Sequence, residues 1–151
     1  LTMSLIEDVI GGLDPLPGAI EFVADLRSNT QLVILSDTFE QFARPLMRKL
    51  GLPTIFCHRL IVVDDRIVDF ELRQANQKQK AVEAFRSLNL RVVAAGDSYN
   101  DTTMLGAAHA GFLFHAPTNV IAEFPQFPVN HSYAELKANI DGAAARLRNA
   151  G

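Results

Sequence analysis

Two carboxylates follow an apolar run in the segment VVAAGDSYNDTTML, residues 92 to 105. Asp97 comes directly after Gly96, and Asp101 lies four residues further on. The apolar run is typical of a buried strand. Carboxylates that lose water at the end of such a strand repel each other and need a compensating charge. Mg²⁺ prefers oxygen ligands of this kind, so the segment indicates a magnesium site.

Other polar residues precede this segment in the chain. Ser36 ends the apolar run QLVILS and Asp37 follows it, Lys78 opens a helical pattern, and Asn100 lies between the two carboxylates. Ligands of α/β sheets bind beyond the carboxyl ends of the strands. There, a hydroxyl and backbone N–H groups can hold phosphate oxygens while a lysine neutralises their charge. We therefore expect these side chains and the carboxylates to converge on one phosphate-plus-magnesium site.

Each of these residues also has an ordinary structural explanation. Asp101 could be an acidic residue in the first turn of a helix, Ser36 a cap at a strand end, and Lys78 a solvated helix residue. Their order along the chain is more specific than any one of them and favours a functional site. That order is strand–Ser–Asp, then Lys, then strand–Gly–Asp–x–x–Asn–Asp. The adjacent Cys57 and His58 cannot both ligate one metal comfortably, so core or surface roles are expected for them.

The elements that must position these residues alternate between strand and helix patterns, which predicts an α/β fold with a mostly parallel sheet. QLVILS and RVVAA are expected to be strands buried on both faces. The other predicted strands are residues 111–115 and a hairpin over 59–72 that turns at 64–66. The predicted helices are 17–29, 38–51 with a kink or late start at Pro45, 77–89, about 101–109, and 132–149 with a Ser132–Glu135 capping box.

Composition restricts the class of protein. The chain has 151 residues, 48% of them hydrophobic and 21% charged, as in an ordinary globular domain. Its net charge of −3 gives no reason to expect nucleic acid or an anionic membrane as a partner. Its one cysteine, Cys57, excludes an internal disulfide framework, and we predict a cytoplasmic protein.

The motifs resemble those of the haloacid dehalogenase (HAD) superfamily of phosphohydrolases, in its phosphoserine phosphatase branch. LVILSD resembles the second motif of that family, Lys78 the third, and GDSYNDTTML the fourth, with Ser98 where glycine is commoner. The resemblance covers essentially the whole chain. It implies a Rossmannoid three-layer sandwich with a mostly parallel sheet, over one core domain spanning residues 1–151.

The resemblance also implies roles for the residues that contact substrate. Ser36 would hydrogen-bond the phosphoryl group, Lys78 would stabilise charge on its oxygens, Asp37 would help to contact the substrate, and Asn100 would also contact it. The implied substrate is phosphoserine, whose phosphoryl group passes through a phosphoaspartyl intermediate to water or to homoserine. The oligomeric state is left open, with a homodimer as one alternative.

The same resemblance implies a Mg²⁺ cofactor. Asp97 would coordinate the ion, and Asp101 would support that site without binding the ion directly.

The chain departs from the family at the first motif, an apolar strand leading into Asp-x-Asp or Asp-x-Glu that supplies the nucleophile. Asp37 follows an apolar strand but has Phe39 where an acid is needed. The other candidates either lie outside the predicted strands, as do Asp8, Asp14 and Asp25, or belong to the predicted hairpin, as do Asp64, Asp65 and Asp69. We therefore expect the C-terminal part of a longer enzyme, inactive alone. Residues 1–16 would be a remnant of the helical cap. The central strand, which the family places between LVILS and RVVAA, and most of the cap would be missing.

Two other functions stay open. The chain could be a non-catalytic domain of the same fold that binds phosphate without turnover. Less favoured is a receiver domain with Asp37 as its phospho-acceptor, because receivers carry an acidic pair after their first strand, and no acidic pair that follows a strand precedes Asp37.

Overall fold

A computed structural model describes all residues, Leu1–Gly151. Its contacts divide the chain into two compact units, Leu1–Ala75 and Asn76–Gly151. Of the four strand pairings, three are parallel and one is antiparallel. The predicted α/β class with mostly parallel pairing is confirmed. The assignment of residues 1–151 to one domain, with 1–16 from a cap, stays a prediction.

The first unit contains a three-stranded sheet in the order β1–β2–β3 and three helices. Its elements are α1 (Met3–Gly11), α2 (Ala19–Asn29), β1 (Val33–Phe39), α3 (Glu40–Lys49), β2 (Thr54–Val63) and β3 (Arg66–Glu71). Asp64 and Asp65 both have positive φ, which gives the tight turn the twist that a two-residue hairpin needs. The predicted hairpin is therefore confirmed.

The hairpin turn also holds the start of α1, a helix that the sequence analysis did not predict. The Asp65 carboxylate accepts hydrogen bonds from the backbone N–H and the hydroxyl of Ser4, each at 2.8 Å. These bonds lower the pKa of the Asp65 carboxyl. Thr2 caps the same helix end by accepting from the N–H of Leu5. The start of α1 is thus fixed by hydrogen bonds to Asp65, a residue distant in the sequence. A local sequence pattern cannot reveal such a contact.

The second unit contains a parallel sheet in the order β4–β5–β6. Its elements are α4 (Gln77–Ser87), β4 (Val93–Gly96), a 3-10 turn (Tyr99–Asp101), α5 (Thr102–Ala107), β5 (Ala110–Phe114), α6 (Thr118–Glu123), β6 (Val129–Asn130) and α7 (Tyr133–Asn149). Its core centres on the fully buried Val82, Leu105, Leu113 and Val120. Burying each such side chain stabilises the fold by about 1.5–3 kcal/mol.

Several boundaries differ from the predictions. Helix α3 runs through Pro45 without a break, and the helix expected from about residue 101 starts as a 3-10 turn at Tyr99. Helix α6 and strand β6 were not predicted, because each is too short to show a period. Ser132 caps α7 by accepting from the N–H of Glu135, but the Glu135 carboxylate accepts from the N–H of His131. None of the helices combines the length and the apolar composition of a membrane span.

The expectation that β1 and β4 are buried on both faces is wrong. Val33, Ile34 and Leu35 are only half-buried, and Ala95 is exposed. Each of the two strands lies at the edge of its sheet, with a strand partner on one side only. Solvent reaches the side chains along that unpaired edge. A continuous apolar run therefore did not predict burial here.

Candidate active site

The buried carboxylate of Asp101 is the centre of the polar cluster in the second unit. It lies at the end of the 3-10 turn that follows β4, and its side chain is 8% exposed. Its Oδ1 accepts a hydrogen bond of 2.7 Å from Nζ of Lys78, whose side chain is 16% exposed. Lys78 is thus brought together with Asp101, and the solvated-helix explanation of Lys78 is wrong.

The second oxygen of this carboxylate is held by its own turn. Oδ2 of Asp101 accepts from the backbone N–H of Asp97 at 3.0 Å, and from the N–H and the hydroxyl of Ser98 at 3.3 Å each. Burial raises the pKa of Asp101. The hydrogen bond and charge of Lys78, together with the two N–H groups, outweigh that effect and hold the pKa below its ordinary value. The carboxylate is therefore an anion that the protein itself compensates.

Close approach of Asp101 to the strand explains Gly96. A Cβ added at Gly96 would lie 2.5 Å from Cβ of Asp101 and 2.6 Å from its Oδ2. Any side chain at this position would push the carboxylate away from its donors. In the sequence Gly96 is only one position of the motif, and its contact with Asp101 is the physical reason for a glycine there.

Replacing Gly96 with Ala should destabilise the chain by about 1–3 kcal/mol, the usual effect of overpacking. The matched control is Gly106→Ala in α5, where an added Cβ meets nothing within 4 Å. That change should be neutral or stabilising by up to about 1 kcal/mol, since glycine is a poor helix residue. Urea unfolding of both variants measures the difference. Equal stability of the two would show that the Gly96–Asp101 contact is unimportant.

Ser98 fits where the family more often has glycine. Its backbone is extended, with φ −127° and ψ 164°, so no glycine is required. Its hydroxyl also caps the 3-10 turn by accepting from the backbone N–H of Asp101, and the Asp101 carboxylate accepts from the Ser98 N–H. Serine in place of glycine at position 98 therefore supplies a further hydrogen-bond donor to Asp101 and introduces no backbone strain.

Asp97 and Asn100 lie on the same turn but are exposed. The expectation that two carboxylates crowd at a buried strand end is therefore correct for Asp101 only. The structure contains no group of three or more His, Cys, Asp or Glu side chains that could hold a metal. Mg²⁺ commonly uses one or two protein carboxylates and completes its coordination with substrate phosphate and water. An exposed Asp97 beside the turn fits that limited role.

Ser36 and Asp37 belong to the first unit. β1 continues past them to Phe39, and its register with β2 is irregular between Leu35 and Phe39. The Ser36 hydroxyl accepts from the N–H of Thr38 at 3.3 Å. The Asp37 carboxylate is exposed, and its Oδ1 lies 3.6 Å from Nε2 of the buried His58. The sequence did not predict that His58 lies beside Asp37.

The six predicted site residues thus form two sets. Lys78, Asp97, Asn100 and Asp101 are grouped in the second unit, while Ser36 and Asp37 are adjacent at the irregularity of β1. Convergence of the two sets on one phosphate site stays a prediction.

The chain is similar over most of its length to known phosphoserine phosphatases. Phosphoserine phosphatase ThrH of Pseudomonas aeruginosa is 58% identical over 147 residues, covering 97% of this chain and 72% of that protein. Phosphoserine phosphatase of Pseudomonas syringae pv. tomato is also 58% identical, covering 97% of this chain and 62% of that protein. The chain thus spans between three fifths and three quarters of the length of these relatives.

Among solved structures, a phospho-aspartyl intermediate analogue of phosphoserine phosphatase is similar with a TM-score of 0.75 and 25% identity. The match covers 93% of this chain and 70% of that one. An apo phosphoserine phosphatase is similar with a TM-score of 0.70 and 27% identity, over 82% of this chain and 65% of that one. The family model of haloacid dehalogenase-like hydrolases matches residues 5–109. The chain therefore belongs to the haloacid dehalogenase-like hydrolase family.

Proposed function

We propose that this chain carries the phosphate-binding and metal-supporting part of a Mg²⁺-dependent phosphoserine phosphatase. Transfer of the phosphoryl group to homoserine is a second reaction of the same site. The observation that carries the proposal is the buried Lys78–Asp101 pair beside Asp97, in a chain that also holds the Ser36 motif. The names of the relatives and the phospho-aspartyl analogue support the substrate and the intermediate.

Lys78 contributes by holding a positive charge at a fixed place. Its hydrogen bond to Asp101 restricts a long, flexible side chain, and an ammonium group has three donors in total. A fixed cation stabilises the negative charge of a transferring phosphoryl group without reorganising during the reaction. The Ser36 hydroxyl and Asn100 are assigned to contacts with the substrate.

Asp97 is assigned to bind Mg²⁺, and Asp101 is assigned to support it. The N–H of Asp97 donates to Asp101, so the buried carboxylate fixes the backbone from which the exposed Asp97 side chain projects. When bound, Mg²⁺ would neutralise charge on the phosphoryl oxygens. A single carboxylate ligand implies weak Mg²⁺ binding in the absence of substrate.

The 151-residue chain contains no strand leading into Asp-x-Asp, so we expect no measurable phosphoserine hydrolysis from it alone. The experiment joins the chain to the part of the Pseudomonas aeruginosa relative that lies outside its match to this chain. The fusion should release phosphate from phosphoserine only with Mg²⁺, and Asp97→Asn should abolish that release. Adding homoserine should yield its phosphate ester, detected by ³¹P NMR.

Two results would contradict the proposal. Robust turnover by the 151 residues alone would show that the nucleophile was misidentified. A folded fusion that binds phosphate without turnover would favour the non-catalytic domain. The receiver-domain alternative gains no support from the comparisons, which match the hydrolase family.

The cellular location and the oligomeric state of the enzyme are also proposals. A cytoplasmic location agrees with a lone, free and half-buried Cys57. A homodimer would be detected by light scattering of the fusion protein.

A further inference from the structure

Tyr99 is an exposed aromatic residue on the turn that carries Asp97 and Asn100, and the proposed function gives it no role. It is 55% exposed. Its ring nevertheless packs edge-to-face on the ring of Phe124, with the two ring centroids 5.5 Å apart. Aromatic pairs in this arrangement attract each other beyond the effect of burying apolar surface. An exposed ring is therefore held in place beside the residues assigned to bind metal and substrate.

The backbone of the turn is fixed at two points. The carbonyl oxygen of Tyr99 accepts hydrogen bonds from the backbone N–H of Thr102 and, at 2.7 Å, from its hydroxyl. Thr102 is buried at the start of α5. At the other point, the Asp101 carboxylate holds the N–H of Asp97. The carboxylate thus fixes the beginning of the turn, whereas Tyr99 is fixed in its middle, next to Asn100.

The ring that supports Tyr99 belongs to a loop between α6 and β6 that is itself well held. The N–H of Phe127 donates to the carbonyl of Phe124 at 3.2 Å, which closes a turn with Pro125 at a position that favours proline. The rings of Phe124 and Phe127 stack with their centroids 6.3 Å apart. The carbonyl of Pro128 accepts from the N–H of Leu113 in β5 at 2.9 Å. The loop is therefore a fixed support for the ring that packs on it.

Resting on the proposed function, we propose that Tyr99 is a positioning residue whose ring, held by Phe124, fixes the turn from which Asp97 and Asn100 bind Mg²⁺ and substrate. A turn that is already ordered loses less conformational entropy when a ligand binds, so the ligand binds more tightly. Binding residues are held most precisely where packing locks the neighbouring side chains. Because Tyr99 is exposed, its loss should affect binding more than the stability of the fold.

The test is Mg²⁺ binding to the 151-residue chain, measured by NMR from the amide resonance of Asp97 during titration with MgCl₂. Tyr99→Ala removes the ring, and Phe124→Leu removes its aromatic partner but keeps an apolar side chain. Each should weaken Mg²⁺ binding about fivefold, as for the loss of one aromatic contact. The double variant should bind no more weakly than either single variant, because both changes remove the same contact. Tyr99→Phe, which keeps the ring, should restore most of the affinity lost in Tyr99→Ala.

Leu88 provides the matched control, since it is an exposed apolar residue of the same unit at the end of α4. Leu88→Ala should leave Mg²⁺ binding unchanged. Two results would overturn the positioning role. One is Mg²⁺ binding by Tyr99→Ala that equals that of wild type. The other is a double variant in which the losses of Tyr99→Ala and Phe124→Leu add.

The order of the turn is tested without any metal. In Phe124→Leu the ¹⁵N order parameters of Asp97 and Asn100 should fall below the value of about 0.85 that is typical of a rigid backbone. Unchanged order parameters would overturn the positioning role. Lower order parameters, in a chain whose wild type binds no Mg²⁺, would support the positioning role and count against the metal site of the proposed function. The two failures are therefore distinguishable.

Discussion

Replacing Lys78 with Met should lower the free energy of unfolding by about 3–5 kcal/mol, because it leaves the buried Asp101 carboxylate without its cation. Both side chains are largely removed from water, so solvent screens their interaction little. Met keeps most of the volume of the lysine stem, which limits the effect to the lost charge and hydrogen bond. Denaturant unfolding followed by circular dichroism measures the change.

The neighbouring Lys80 provides the matched control, since it lies in the same helix and is exposed. Lys80→Met should change stability by less than about 0.5 kcal/mol. In a double-mutant cycle, Asp101→Asn should recover part of the loss caused by Lys78→Met, because no buried charge then remains. Equal effects of Lys78→Met and Lys80→Met would contradict the importance of the buried pair.

Lowering the pH should reduce the difference in free energy of unfolding between wild type and Lys78→Met. The pKa of Asp101 is lowered in the folded protein. The stability contributed by the carboxylate is therefore present above the unfolded-state pKa of about 3.9 and is lost as pH falls through the folded-state pKa. Below about pH 4 this difference in free energy of unfolding between the two proteins should become smaller. A gap that stays constant from pH 7 to pH 3 would mean that the ion pair is not its source.

How well the sequence predicted the fold depended on the range of the interactions involved. Helix α4 and the hairpin around Asp64 and Asp65 were predicted because a helical period and a turn signal are local patterns. Helix α1 was not predicted, because its first turn is held by Asp65, sixty-one residues away. Burial of β1 was overestimated because an apolar run does not show how many strands pair with it.

In the candidate site, too, local patterns were predicted and contacts between residues distant in the sequence were not. The motif order identified Lys78 and Asp101 as site residues, but not their direct hydrogen bond across twenty-three residues of sequence. The same motif suggested that a metal compensates both carboxylates, whereas the protein compensates Asp101 and leaves Asp97 exposed. His58 was missed as a neighbour of Asp37 because only the parallel register of β1 and β2 places it there.

Two strand edges give the other prediction of large effect. β1 and β4 are the first strands of their three-stranded sheets, and each has a strand partner on one side only. The backbone N–H and C=O groups along an unpaired edge can pair with another strand, which makes such edges sites of aggregation. The family resemblance predicts that one strand, carrying the first motif, belongs beside both.

Supplying that strand should stabilise the chain strongly. Each hydrogen bond that replaces water along these edges stabilises the fold by a net amount of about 0.5–1.5 kcal/mol, so several bonds along two edges reach the lower end of whole-domain stability, about 5 kcal/mol. For a chain of this size, 1 kcal/mol corresponds to roughly 2–4 °C in melting temperature. Adding in trans the part of the Pseudomonas aeruginosa relative outside its match to this chain should therefore raise the melting temperature by about 10 °C or more.

The control is the same segment with charged residues in place of its apolar strand, since it keeps the length and loses the ability to pair inside a sheet. It should leave the melting temperature unchanged, and the unmodified segment should also suppress the light scattering of the chain alone. A cooperative, monomeric melt of the 151 residues that the segment does not shift would show that these edges need no partner. In that event the half-buried side chains of β1 and β4 suffice, and the first-motif strand contributes the nucleophile without contributing stability.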